Sequence, residues 1–436
     1  MIFEQFIDND LGHVSYLVAC DSTKEAFIVD PRRDIDEYID RIEAKNLVLK
    51  YIFNTHTHAD YVGGHLELSS KYPVNNVFQK NAPIENYECL KVSDGNRLSI
   101  GTLDVTVMET PGHTPFDISL IVSEEGTDKL IFTGDFLFVG EIGRPDLLGE
   151  ENMVALLKMS YYSARKLWQL MDGILVFASH IKGSLCGKNL NSLYLSSIGI
   201  EKATNKSFKL CQEPIDKYVE NLSTQNIETP TFFKKMAAHN IAGPQLIDTI
   251  KSKVEFLSHK KIISLADQQF VDIRSPEKFN QLHFPGSINI YEKSNVSLIA
   301  GNILNYEDDI YLIGDNETNF EEVMIKLFRV GFDKVKGIVD EPCSELLSTC
   351  NKSKSISEDE LHSNSLHIIL DKGCRKLATN IIFSSINTFN EIDIRGYEQV
   401  IISCAFGYKS SAISSYLMKE NTNIYILSNE LVAFDS

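Results

Sequence analysis

Asn54-Thr55-His56-Thr57-His58-Ala59-Asp60 is the stretch whose reading decides the fold. It closes an apolar run from Val48 to Phe53, so it sits where a strand gives way to a turn. Two His and one Asp at alternate positions make poor packing and good metal ligands. Three further candidates stand in the same kind of place. His113 follows Val105-Thr106-Val107-Met108 and the turn residues Pro111-Gly112. Asp135 follows Leu130-Ile131-Phe132 and Gly134, and His180 follows Ile174-Leu175-Val176-Phe177. Strand ends that converge on one point supply the rigid frame a metal centre needs.

Two chemistries draw on the pool His56, His58, Asp60, His113, Asp135 and His180. Two His and one carboxylate on one face of a cation is the arrangement of non-haem Fe(II) oxygenases. Four or more His with a bridging Asp suits two zinc ions that activate water for hydrolysis. Isolated His such as His13 and His65 read as structural.

Length and composition set the outer bounds. A chain of 436 residues exceeds one ordinary core and predicts two to four domains. A net charge of −18 argues against nucleic acid and against an anionic membrane surface. No apolar run is long enough to span a bilayer. Met1-Ile2-Phe3-Glu4-Gln5-Phe6 lacks a basic or cleavable leader, which predicts a cytoplasmic protein. Eight cysteines without framework spacing then read as reduced thiols.

Along the chain, β-like runs and helical patterns alternate to about residue 200. The runs are Val14 to Ala19, Ala26 to Asp30, Tyr51 to Asn54, Leu103 to Met108, Ser119 to Val122, Leu130 to Thr133 and Leu175 to Ala178. Asp34 to Lys45 and Asn152 to Leu170 carry helical periodicity. Residues 206–245 are polar, hold Pro214, Pro230 and Pro244, and read as a helical cover and linker. From about 255, short βα units follow in two stretches that suggest a diverged repeat, with 348–357 as their joint.

The motifs Thr55-His56-Thr57-His58-Ala59-Asp60, Thr110-Pro111-Gly112-His113 and Thr133-Gly134-Asp135 resemble the signatures of the metallo-β-lactamase fold. Gly143-Arg144-Pro145-Asp146-Leu147 and Ser179-His180 with Gly183-Ser184-Leu185-Cys186-Gly187 are similar to its persulfide dioxygenase branch. The resemblance implies one Fe(II) per chain, with zinc as the alternative, held by His56, His113 and Asp135. His58, Asp60 and His180 are left as outer partners or ligands of a second metal. Tyr61 stands where the superfamily usually has His, which removes a second-site ligand and weakens the two-zinc reading. Ile181-Lys182 replaces smaller residues and alters the pocket wall. Arg144 reads as a structural ion-pair partner before a carboxylate binder. Cys186 is a candidate second working thiol.

Val271-Asp272-Ile273-Arg274 and His283-Phe284-Pro285-Gly286-Ser287 resemble a rhodanese domain. The later strand Ile310-Tyr311-Leu312-Ile313 leads into Gly314-Asp315-Asn316 with no Cys, so this domain reads as catalytically silent. The last stretch differs. Val400-Ile401-Ile402-Ser403 ends in Cys404, and a helix starts near Ala412. Backbone N–H groups at a helix N-terminus and the charge of Lys409 favour a thiolate or bound persulfide there. The pattern Cys404-x-x-Gly407-x-Lys409-Ser410 is similar to the rhodanese active loop, with Lys where Arg is commoner. Cysteine phosphatases need Arg where Ser410 stands. Cys20 reads as core. Cys374 lies beside Arg375 and Lys376 without a supporting motif.

The expected organisation is an α/β chain. A metallo-β-lactamase αββα sandwich with cover and linker occupies 1–245, a silent rhodanese-like domain 246–347, and a shortened rhodanese-like sulfurtransferase domain 355–436. The resemblance implies a persulfide dioxygenase fused to sulfur transfer, using O₂ and a low-molecular-weight persulfide. Sulfite would be the acceptor for sulfur carried on Cys404, and the chain is expected to form a homo-oligomer. The competing readings are a dinuclear zinc thioester hydrolase of the glyoxalase II kind and a non-enzymatic sulfur carrier or persulfide sensor.

Overall fold

The computed structural model describes the chain except residues 148, 188–189, 224–228, 266–267, 341–354, 357–363, 371–379, 385–388, 390–391, 396, 405–407, 419–423 and 428–436. The joint read at 348–357 lies largely outside the described residues, as do Cys374 and Gly407. The chain divides into two compact units. One is 1–229 with 233–246, and the other is 230–232 with 247–436.

Side-chain alternation along the strands builds the first unit. In the strand His13–Ala19, Tyr16 and Val18 join one apolar cluster while Leu17 and Ala19 join another. The first sheet runs Ile2–Asp8, His13–Ala19, Glu25–Val29, Val48–Phe53, Asn75–Gln79, Leu90–Val92. Its first three strands are antiparallel, and from Glu25–Val29 onward it is parallel. The second sheet runs Ser196–Ser197, Leu175–Ala178, Thr127–Gly134, Ile118–Glu124, Leu103–Glu109, Arg97–Ile100. Its only parallel pair is Thr127–Gly134 with Leu175–Ala178.

Phe27, Phe53 and Val77 of the first sheet meet Val105, Leu120 and Phe132 of the second in one buried core. Tyr38 and Ile42 of the helix Asp36–Ala44 cover the outer face of the first sheet. Leu157, Tyr161, Ala164 and Leu167 of the helix Glu150–Trp168 cover the outer face of the second. The result is the helix–sheet–sheet–helix sandwich. Parallel pairing then places the site: Glu25–Val29 and Val48–Phe53 end together, so Asp30 lies beside Asn54 and Thr55. Thr127–Gly134 and Leu175–Ala178 also end together, which brings Asp135 beside Ser179 and His180.

The second unit holds two wholly parallel five-stranded sheets. One runs Glu255–Phe256, Val335–Val339, Ile310–Ile313, Gln269–Asp272, Ile288–Asn289. The other runs Ser355–Ile356, Ile424–Leu427, Gln399–Ser403, Ser365–Ile369, Asn380–Phe383. The strand order is the same, so Ile310–Ile313 and Gln399–Ser403 are equivalent. Gly314 therefore stands where Cys404 stands in its sister sheet. Among the described residues, no helix is long and apolar enough to cross a membrane.

Candidate metal centre

The centre is framed by Asp30, which ends a strand with a left-handed backbone (φ +50°) and is buried. Its carboxylate accepts the Thr55 N–H and hydroxyl, both at 2.8 Å, and the Ser179 hydroxyl at 2.6 Å. It also faces His58 Nε2 at 3.2 Å. One residue thus ties the His-rich turn to the end of the opposite sheet.

Thr55 passes that order on. Its hydroxyl donates to Asp30, so it accepts from His56 Nδ1–H at 3.0 Å. Among the described residues, His113 Nδ1 likewise meets one partner, the carbonyl of Arg144 at 2.9 Å, and must donate to it. Both imidazoles therefore carry the proton on Nδ1 and present the Nε2 lone pair. Those two nitrogens lie 3.7 and 3.6 Å from Asp135 Oδ2, a buried oxygen with no hydrogen-bond donor among the described residues. His56, His113 and Asp135 form one set of buried ligand atoms within 4.8 Å of one another. Burial holds His56 and His113 below the usual imidazole range, the neutral state a metal needs. Burial alone would raise Asp135, but His180 and then His56 and His113 hold its carboxyl well below the usual range.

Backbone geometry keeps these groups in place. Gly134 has φ +53°, and a Cβ there would meet Thr55 Oγ1 at 2.5 Å. Gly143 passes so close to Asp135 that a Cβ would meet its carbonyl oxygen at 1.8 Å. Asp117 accepts the N–H groups of His113 and Thr114 at 2.9 and 2.7 Å and also the Thr114 hydroxyl. Burial still lifts the Asp117 carboxyl to about 7.

The remaining sequence candidates fall around this set. His180 Nδ1 lies 2.6 Å from Asp135 Oδ1, and its Nε2 lies 2.7 Å from Asp60 Oδ2. Burial would lower His180, yet Asp135 and then Asp60 raise it well above the usual range. Cys186 joins Asp60 and His180 in a second buried set, and burial pushes its thiol up to about 12. Tyr61 turns its hydroxyl to the Asp30 carbonyl at 3.2 Å. The Arg144 guanidinium forks onto Asp146 at 2.7 Å twice and also reaches Thr229 at 2.7 Å and the Leu185 carbonyl at 3.2 Å. Its donors are spent on its own chain. His13 and His65 are both buried; His13 packs its ring 4.2 Å from Tyr61.

A cavity of about 390 Å³ opens beside His113, lined by Thr57, Phe116, Leu147, Phe233 and Ile241. Its wall comes from the helix Phe233–Ala242, where Asn240 donates to the carbonyls of His58 and Tyr61 at 2.8 and 2.7 Å. The sequence reading missed Asp30, Asp117 and Asn240. The signal for the first was Asp30-Pro31 closing a β run, since Pro bars continuation of the strand.

In the second unit, Cys404 is buried at the end of Gln399–Ser403. Its sulfur accepts the Ser410 N–H at 3.3 Å and lies 3.4 Å from the Ser410 hydroxyl. Ser410 and Lys409 lie in the first turn of the helix Tyr408–Leu417. That helix is pinned from the sister sheet: Ser411 donates to Asn289 Oδ1 at 2.6 Å, and the Asn289 N–H donates to Ser415 at 2.9 Å. Asp315, next to the Gly314 position, is bound by Lys278 at 2.8 Å.

Comparison with known proteins identifies the family. The metallo-beta-lactamase superfamily matches residues 8–80 and 90–180, and the rhodanese-like domain matches residues 257–338. A metallo-beta-lactamase structure from Staphylococcus aureus is 30% identical, with TM-score 0.70, covering 78% of this chain and 99% of that one. The chain belongs to the metallo-beta-lactamase superfamily and carries a rhodanese-like domain behind the metal-binding fold. Two curated relatives point in different directions. A hydroxyacylglutathione hydrolase of Nitrobacter hamburgensis is 39% identical over 128 residues, 27% of this chain and 49% of the relative. The mitochondrial persulfide dioxygenase of Mus musculus is 26% identical over 216 residues, 48% of this chain and 76% of the relative. The chain spans about half the length of the first of these.

Proposed function

We propose that this chain oxidises a low-molecular-weight persulfide with O₂ and hands sulfur to sulfite through Cys404. The observation that carries the reading is the pair of Nδ1-protonated imidazoles aiming two Nε2 lone pairs at Asp135 Oδ2. Two His and one carboxylate on one face, with positions left open, is a donor set suited to Fe(II). Iron bound there would supply the redox chemistry that activates O₂. The overall change is RSSH + O₂ + H₂O → RSH + SO₃²⁻ + 2 H⁺, with sulfane sulfur oxidised and O₂ reduced.

The chain's own residues do the rest. Thr55 and the Arg144 carbonyl hold the ligand tautomers. The cavity lined by Phe116, Leu147, Phe233 and Ile241 takes the organic part of the persulfide. Cys404, capped by the Ser410 N–H, attacks the outer sulfur of a second RSSH, breaks its S–S bond to release RSH, and holds that sulfur as a persulfide anion. Transfer then breaks the S–S bond of the Cys404 persulfide and forms one to sulfite, releasing thiosulfate and the Cys404 thiolate. The silent sheet offers no such sulfur at Gly314, and its role is to hold the helix behind Cys404.

Thioester hydrolysis is the second reading, favoured by the hydroxyacylglutathione hydrolase relatives. Against it stands Tyr61, which replaces the usual second-site His and gives its hydroxyl to the Asp30 carbonyl. A sulfur carrier without oxidation would load Cys404 yet consume no O₂. The experiment is O₂ uptake by iron-loaded and zinc-loaded protein on adding a persulfide or a thioester. Uptake with iron and persulfide supports the proposal. Thioester cleavage by the zinc form, with no uptake by the iron form, overturns it.

A further inference from the structure

The cavity beside His113 is walled by apolar side chains, among them Phe116, Leu147, Phe233 and Ile241. Among the described residues its lining holds one side chain with a full charge, Lys234. Helical spacing puts it there. Phe233, Ala237 and Ile241 stand four residues apart along the helix Phe233–Ala242, and Lys234 and Ala238 form the row beside them. All five line the cavity, and the two alanines leave room in front of the helix. Every wall belongs to the first compact unit.

Few polar groups in that lining are open to a ligand. The Thr114 hydroxyl is given to Asp117 and takes the Phe116 N–H at 3.2 Å. His113 gives Nδ1–H to the Arg144 carbonyl at 2.9 Å and turns Nε2 to the ligand set. The Thr57 hydroxyl and the exposed Lys234 ammonium make no hydrogen bond or ion pair among the described residues. A bound molecule therefore meets apolar surface, one hydroxyl and one ammonium. Each further amide, ammonium or carboxylate it carried would leave water for an apolar wall without a partner. An anionic group also enters against a net charge of −18, so it needs the local charge of Lys234.

Resting on the persulfide reading of the metal centre, we propose that the substrate is the persulfide of a compact mercaptan with an aliphatic body and a single anionic group, and that Lys234 selects it. The sulfur lies toward His113, the body against Phe116, Leu147, Phe233 and Ile241, and the anionic group on Lys234. A peptide thiol such as glutathione, with its amides, ammonium and second carboxylate, is a poor fit.

The test uses full-length, iron-loaded protein. Binding is read first, by calorimetry without O₂, on thioethers that carry no sulfane sulfur: methylthiohexanoate, methylthiohexanol and S-methylglutathione. The hexanoate is expected to bind about fivefold more tightly than the alcohol, the reach of an exposed ion pair, and the gap should narrow as salt rises. Lys234→Ala should close the gap, and Lys234→Glu should turn the preference toward methylthiohexylamine. Lys234 is exposed, so neither variant disturbs the core. Equal binding of hexanoate and alcohol, tighter binding of S-methylglutathione, or a preference unmoved in Lys234→Ala overturns the assignment. O₂ uptake then compares the persulfides of mercaptohexanoate and glutathione, and the first should lead through a lower KM. No uptake with any persulfide would overturn the dioxygenase reading, while thioether binding would still decide the role of Lys234.

Discussion

Asp135 and His180 are joined at 2.6 Å through Oδ1 and Nδ1, while the other Asp135 oxygen faces His56 and His113. On the proposed reading, a single carboxylate would serve as ligand on one side and as orienting group on the other. Asp135→Asn keeps the volume and removes the charge. The expected loss of metal affinity exceeds the roughly 10–100-fold that removing an outer partner costs. Equilibrium dialysis against a chelator measures it, and near-wild-type affinity would contradict the assignment of Asp135.

Asp30 touches no proposed iron ligand directly, yet it holds Thr55 and through it His56. Thr55→Val is expected to weaken metal binding about 10–100-fold while the fold survives. Asp30→Ala should do more, because it strands three buried donors at about 1–3 kcal/mol each. Thermal unfolding of the metal-free chains separates the two. Equal stability of Asp30→Ala and wild type would show that Asp30 is not the organiser.

Cys404→Ser should leave O₂ uptake intact and change the product from thiosulfate to sulfite. Asn289→Ala, in the sister sheet, should shift the ratio the same way in part, since Ser411 loses its side-chain acceptor while the backbone N–H bonded to Ser415 stays. Ion chromatography of the products reads both. Unchanged product ratios in Asn289→Ala would mean that the silent sheet does not support the Cys404 loop.

His65 gives a pH signature apart from the metal. It packs against Phe78 and Tyr87 at 5.4 and 5.1 Å, and burial lowers it from 6.5 to about 3. The unfolded chain takes a proton at His65 below about 6.5 that the folded chain refuses until about 3. Stability from this residue is therefore full above that window and lost as pH falls through it. His65→Phe should flatten the acid limb of a urea-midpoint profile, and an unchanged slope would contradict the assigned cause.

Much of this was legible in the sequence because polar, titratable residues at strand ends stand out against the apolar runs before them. His56, His113, Asp135 and His180 each follow an apolar run; parallel pairing brings Asp135 beside His180 and the His56 turn beside Asp30, while His113 follows the antiparallel strand Leu103–Glu109. The helices Asp36–Ala44 and Glu150–Trp168 showed in their periodicity. Ile2–Asp8 did not show because it is mostly half-buried and alternates weakly, and Arg97–Ile100 did not because its alternation runs over too few residues to stand out. Asp30 was hidden for a different reason. Its importance lies in partners 25 and 149 residues away, and no local pattern reports such contacts. The position of Gly314 as the counterpart of Cys404 likewise needed the shared strand order of the two sheets.

The most direct test is the stoichiometry of O₂ consumed to persulfide added, with iron-loaded protein and a persulfide made in solution. The account predicts one O₂ per two persulfides where the sulfur is recovered as thiosulfate, one O₂ per persulfide in Cys404→Ser where it is recovered as sulfite, and no uptake by His113→Ala. Uptake that is absent, or that persists undiminished in His113→Ala, would contradict oxidation at His56, His113 and Asp135.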